Sequence, residues 1–211
     1  MGQLPPLSRL ALAYAPARAR SDWLTLLALD ARLASLVRQA REPMLAQLRL
    51  AWWRDRFAAD PHGWPKGDPL LARLAEWGEP VRALGKLVDG WEALLGEAPL
   101  PAEALSEFAN GRIAALAALA HRLDARDTVV VTMGRRWACA DLALHLGDPT
   151  ERAAAAALLD QAAPGGRTPR LLRPLALLSG LSERALRRGA GEALSGPGAL
   201  LAAIRLGITG G

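Results

Sequence analysis

Apolar positions recur at helical spacing along most of the chain, and prolines and glycines punctuate the pattern. Pro5-Pro6 opens a short segment, 5–14, that Pro16 ends. In SDWLTLLALDARLASLVRQA apolar residues fall at 23, 24, 27, 28, 31 and 34, which predicts a second helix reaching about Gln39. Ser21 reads as its N-cap, with Asp22 in the favourable first turn. Glu42-Pro43 restarts the chain, and a third helix is expected over 43–58, because proline at a first helical position has its φ preset and loses no needed N–H. PHGWPKGDP, 61–69, reads as a turn-rich loop. Helices are then expected over 69–77, 80–95 and, after PLP at 99–101, 102–122.

The next helix, 127–146, contains the β-branched run TVVVT. With no partner strand in view, that run reads as buried helix. Asp148-Pro149 starts an Ala-rich helix to about 162, and PGGRTP links it to the tail. From 169 on, two or three short helices are expected, broken by Gly180, Gly189 and Gly196-Pro197-Gly198.

Composition agrees with this reading. Half of the 211 residues are apolar, enough for one domain with a buried core. Alanine, leucine and arginine dominate, so the expected class is all-α. Only Lys66 and Lys86 are lysines. The arginine excess fits either a need for planar permanent cations or a G+C-rich coding bias. Cys139 is the one cysteine, which excludes an intrachain disulfide and fits a reducing compartment. Its surroundings in helical register hold no histidine, so it reads as core. His62, His121 and His145 are far apart and make no metal-ligand pattern. No apolar run is long enough to span a bilayer, and no signal peptide is evident. The expected location is cytoplasmic, with a peripheral place at the inner membrane open.

Charge changes the picture of the tail. Acidic and basic residues cancel over 1–163. Residues 164–211 carry Arg167, Arg170, Arg173, Arg184, Arg187, Arg188 and Arg205 against Glu183 and Glu192, so the whole surplus of +5 lies there. Such a segment suits anionic lipid, a diphosphate or an acidic partner. The last helix, GALLAAIRLGI, is apolar with a single arginine. It either lies on an anionic bilayer or closes the bundle.

EPMLAQLRLAWWRDRF, 42–57, interleaves bulk and charge. Met44, Leu48, Ala51, Trp52 and Asp55 share one side, and Leu45, Arg49, Trp53 and Arg56 make a neighbouring stripe. Trp52 and Trp53 are expected to flank one buried seam. Arg49 and Arg56, a turn either side of Trp53, are spaced to stack on its indole or to bind a diphosphate. The plainer alternative pairs these arginines with carboxylates such as Asp30 or Asp55. Arg135 and Arg136 form a second basic pair, read as solvated surface.

The pattern EPM, four residues, RL, one residue, WWRD resembles the squalene/phytoene synthase family, above all its divergent bacterial branch, and is similar to the mitochondrial complex I assembly factor of that family. LLALDARLASLV and LRPLALLSGLSERALRR resemble flanking family helices, and the likeness runs from about residue 8 to 205. It implies an all-α isoprenoid-synthase bundle around a central cavity, here shortened. In active members two acidic motifs on facing helices hold Mg²⁺, which holds a prenyl diphosphate. The first motif would fall at Ala34-Ser35-Leu36-Val37-Arg38, where no residue is acidic, and Asp30 stands one turn earlier. In GRRWACADLALHL, Asp141 takes a ligand position and His145 replaces an aspartate. Imidazole is a poor Mg²⁺ ligand.

The resemblance therefore implies a non-catalytic relative that binds a prenyl lipid or a protein partner, with no cofactor. Two alternatives stay open. One is an active head-to-head prenyltransferase that needs Mg²⁺ and binds prenyl diphosphate through Arg38, Arg49, Trp53 and Arg56, with Asp30 and Asp141 as metal ligands and Asp141 and His145 as catalytic candidates. The other is an assembly factor without a lipid ligand. No nucleic-acid partner is expected.

Overall fold

Three Asp-Pro pairs show how the sequence starts its helical segments. Asp60 accepts from the His62 N–H, Asp68 from the N–H groups of Leu70 and Leu71, and Asp148 from those of Thr150 and Glu151. Each aspartate satisfies orphan donors of a first turn whose proline has no N–H to satisfy. The computed structural model describes residues 4–40, 42–125, 129–188 and 197–210. Over these residues the protein is all-helical, without strands. The helices are α1 (Pro6–Ala13), α2 (Ala17–Arg38), α3 (Pro43–Ala58), α4 (Pro69–Ala75), α5 (Gly85–Glu92), α6 (Ala102–Arg122), α7 (Val130–His145), α8 (Pro149–Asp160), α9 (Arg173–Arg188) and α10 (Pro197–Thr209).

One connected apolar core runs from Ala11 in α1 to Leu206 in α10. Helix α6 lies between α5 and α7, α7 also packs on α8 and α9, and α9 carries α1 and α10. Helix α2 reaches α5 and α6, and the Trp23 indole N–H donates to the Leu171 carbonyl at 2.9 Å, which ties α2 to the turn before α9. The α5–α6 crossing is set by glycine. A Cβ on Gly111 would lie 2.4 Å from the Lys86 carbonyl oxygen, and one on Gly90 would lie 3.0 Å from the Phe108 Cα. Only residues without a side chain let these backbones come so close. The crossing brings together the residues that follow each glycine, Trp91 and Arg112.

Several expectations need correction. Ser21 is not an N-cap: α2 begins a turn earlier at Ala17 behind Pro16, and Ser21 lies inside it with its carbonyl accepting from Thr25 Oγ1. Pro16 stops α1 and presets the next start, and Ala-Arg-Ala-Arg are good helix formers. The expected helix over 80–95 divides into a 3-10 segment, Glu79–Leu84, and α5. Gly180 does not break the tail. Helix α9 runs through it, and its missing Cβ makes room for Leu206 of α10, whose Cδ1 a Cβ would meet at 2.7 Å. Gly189 and Gly196 lie outside the described residues. The β-branched run is helical from Val130 as expected, but only half buried: Val130 is 1% exposed and Val131 56%.

In α3 the inward seam is Ala46, Leu50, Trp53 and Phe57. Trp53 is 3% exposed and Trp52 39%. The two tryptophans therefore do not flank one buried seam; Trp52 packs edge-on against Trp53 from the solvent side, with centroids 5.2 Å apart. The reason lies in the helical wheel: Leu50 and Phe57 align with Trp53, while the stripe through Met44, Leu48 and Trp52 points outward.

Candidate central charge site

Four helices bring charged residues and aromatic partners to the middle of the bundle. Asp30 comes from α2, Trp91 from α5, Arg112 from α6 and Asp141 from α7. The Arg112 guanidinium bridges the two carboxylates. Its Nη2 donates to Asp30 Oδ2 at 2.9 Å, its Nε to Asp30 Oδ1 at 3.4 Å, and its Nη1 to Asp141 Oδ2 at 2.7 Å. The Trp91 indole N–H donates to Asp30 Oδ1 at 2.8 Å. Three rings surround the guanidinium, with Trp137, Phe108 and Trp91 centroids at 4.2, 4.6 and 5.5 Å. Arg112 itself is buried, with 4% of its surface exposed.

An isolated buried cation costs several kcal/mol of desolvation. Here burial works against the Arg112 charge, but Asp30 and Asp141 more than offset it and hold its pKa above the ordinary arginine value. Burial likewise opposes the Asp141 carboxylate. The charge of Arg112, then the hydrogen bond and charge of His145, nonetheless hold its pKa far below the usual carboxylate range. His145 sits at the solvent edge. Its Nδ1 lies 3.2 Å from Asp141 Oδ1 and 2.8 Å from the Asp141 carbonyl oxygen. The hydrogen bond to Asp141 raises the His145 pKa. Two carboxylates against one guanidinium leave a net charge of −1, which a protonated His145 cancels.

In the sequence Asp30 stands one turn before the expected acidic motif, with Arg49 or Arg56 as the partners considered for it; the structure places it opposite Asp141 with the Arg112 guanidinium between them. The active-prenyltransferase alternative called for Mg²⁺ on Asp30 and Asp141, and the residues here do not fit that ion. Both carboxylates are committed to Arg112, the nearby imidazole is a poor ligand for a hard cation, and the described residues contain no group of three or more His, Cys, Asp or Glu suited to a metal. Arg112, Trp91, Phe108 and Trp137 escaped the sequence reading. The signal for two of them was the pair Gly90-Trp91 and Gly111-Arg112.

The other candidates lie elsewhere. Arg38 ends α2 in solvent and Arg49 is exposed on α3. Arg56 is half-buried and rests over Trp52, its Cζ 5.5 Å from the ring, while Arg32 rather than Arg49 rests over Trp53 at 5.8 Å. Arg38, Arg49, Trp53 and Arg56 are thus not brought to the central cluster. Arg136 is not solvated surface: its Nε and Nη2 donate to the Glu183 carboxylate at 2.9 and 2.6 Å, joining α7 to α9. Cys139 is fully buried, and burial pushes its thiol up to about 11, as a core cysteine requires.

The tail end contrasts with the centre. On α10, Leu200, Leu201, Ile204 and Ile208 are exposed while Ala203 and Leu206 are buried. Two clefts open beside it. One of about 360 Å³ is lined among others by Met133, Arg136, Glu183 and Leu206, and one of about 350 Å³ by Arg167, Thr168, Pro169, Arg170, Arg173 and Thr209. Among the described residues no helix is long and apolar enough to cross a membrane. Comparison with known proteins adds no relative: no family model, curated protein or solved structure matches this chain.

Proposed function

We propose that this protein is a non-catalytic binding protein that lies on an anionic membrane surface through α10 and the arginines of 164–211, and that it is a divergent relative of the squalene/phytoene synthases. The observation that carries the reading is the uncovered face of α10. Leu200, Leu201, Ile204 and Ile208 form an i, i+1, i+4, i+8 stripe in solvent on a 13-residue helix whose other side packs on α9. Apolar side chains on one face with arginines close in sequence match the chemistry of a bilayer interface. The Arg112 bridge supports the non-catalytic part, because the carboxylates best placed to hold a metal already have a permanent cation between them. Sedimentation with vesicles containing anionic lipid tests the reading. Binding is expected to be strong at low salt and to fade as salt screens the arginines. An intact chain that ignores such vesicles contradicts it.

A second reading, an assembly factor that docks a protein partner, has its own observation. The outward stripe of α3, Met44, Leu45, Leu48 and Trp52, is 71%, 48%, 62% and 39% exposed. An apolar stripe of this kind has the chemistry of a protein contact surface.

A further inference from the structure

The linker before α9 and the C-terminal end of α10 are sewn together by backbone. The Thr168 N–H and hydroxyl both donate to the Gly210 carbonyl, at 2.8 and 2.9 Å, and Gly210 holds a φ of +81° that brings it there. A Cβ at Gly210 would lie 2.6 Å from the Thr168 carbonyl oxygen, so the closeness depends on glycine. This clasp forms one wall of the 350 Å³ cleft and brings Arg167, Arg170 and Arg173 to its lining. Arg167 Nε donates to the Thr209 carbonyl at 3.0 Å, which complements the negative end of α10 and leaves its two terminal nitrogens. Among the described residues Arg170 and Arg173 form no ion pair with a carboxylate, and no acidic residue lines the cleft. The nearest acidic group along α9, Glu183, lines the neighbouring cleft and is held by Arg136, Arg187 and Ser179.

We infer that this cleft is a binding site for a phosphomonoester. Three arginines line one concave space, without a compensating carboxylate among the described residues, and such a lining calls for a compact anion with several acceptor oxygens. A phosphomonoester offers close to two negative charges and three terminal oxygens, and planar guanidinium forks match that geometry in pairs. A carboxylate carries one charge and a phosphodiester has two terminal oxygens, so both leave a guanidinium unmatched. The volume lies at the small end of ligand clefts, about 300 to 1,000 Å³, with room for a glycerol- or sugar-sized group beyond the phosphate. Lipid headgroups and free phosphate esters share this chemistry. As a lipid site the cleft deepens the membrane reading, since it would seat one headgroup beside the apolar face of α10.

The test uses the full chain in two arms. In the first, amide chemical shifts are followed while glycerol 3-phosphate is added. In the second, sedimentation is compared for vesicles containing phosphatidic acid and vesicles containing phosphatidylglycerol at matched surface charge. Saturable shifts at Thr168, Arg170 and Arg173 are expected, with vesicle binding about tenfold tighter for the phosphomonoester lipid. R170Q/R173Q should abolish both the shifts and the preference, while its unfolding transition stays unchanged. Shifts without vesicle binding keep the site for a soluble phosphomonoester and remove the membrane reading. Vesicle binding without preference or shifts overturns the site and leaves the membrane reading in place. Preference that survives R170Q/R173Q overturns the site as well.

Discussion

At the centre of the bundle one guanidinium faces two carboxylates, an indole N–H and three rings; at the tail end Arg170 and Arg173 face no carboxylate among the described residues. The same residue type does opposite work in the two places. Buried at a close helix crossing, arginine is tolerable only when opposite charge surrounds it. In an open cleft water solvates it, so it remains available to an incoming anion. The apolar groups follow the same division. Trp53, Phe57 and Leu50 of α3 face inward, while Leu200, Leu201, Ile204 and Ile208 of α10 have no covering partner among the described residues. The difference puts compensated charge and packed rings inside, and uncompensated charge and bare apolar surface outside.

The largest effect is expected at Arg112. Arg112→Met leaves Asp30 and Asp141 facing each other without a cation and should cost about 3–5 kcal/mol of stability in urea unfolding. Replacing the whole cluster in D30L/R112M/D141L should recover most of the loss, because three apolar groups leave no buried charge. A single variant as stable as the parent would mean that the cluster does not hold the centre.

Trp53→Ala should cost about 3–5 kcal/mol, as a fully buried large-to-small change does. Trp52→Ala should cost less than about 1 kcal/mol, since Trp52 lies on the solvent side of its neighbour. Equal losses at the two positions would return both tryptophans to one seam.

Gly111→Ala probes what positions the site. Its new methyl would meet the Lys86 carbonyl oxygen, which is backbone and yields little, so roughly 1–3 kcal/mol should be lost. Differential scanning calorimetry would register the change. A neutral result would show that the crossing has slack.

The smallest effect concerns His145. Asp141 raises its folded pKa, so its contribution is complete below the unfolded value of about 6.5 and fades as pH rises through the folded value. His145→Gln should therefore lower stability at about pH 5.5 and change little at about pH 8.5. The imidazole is mostly exposed, so the difference should be small and shrink with added salt. A penalty that grows with pH would contradict the pairing with Asp141.

Much of the architecture was legible in the sequence because it is local. The Asp-Pro starts, the proline at the head of α3 and the helical period of α2 depend on neighbours a few residues away. Where the reading failed, tertiary contact decided. Gly180 looks like a breaker along the chain but serves the approach of Leu206, far along the chain in α10. Trp52 and Trp53 look equivalent until α2 and α5 fix which side of α3 is covered. The central site was half legible. Asp30, Asp141 and His145 drew notice as titratable groups, but the partner that unites them lies 82 residues from Asp30 and 29 from Asp141. No periodicity links those positions. Only the two glycines at the α5–α6 crossing hint at Arg112.

Hydrogen–deuterium exchange with and without anionic vesicles tests the central claim most directly, because it reports on both regions of one intact chain. The account predicts slowed exchange confined to α10 and the 167–173 segment, with no change in α2, α6 and α7 around Asp30, Arg112 and Asp141. Protection centred on those three helices, with α10 unaffected, would contradict it and return the binding site to the middle of the bundle.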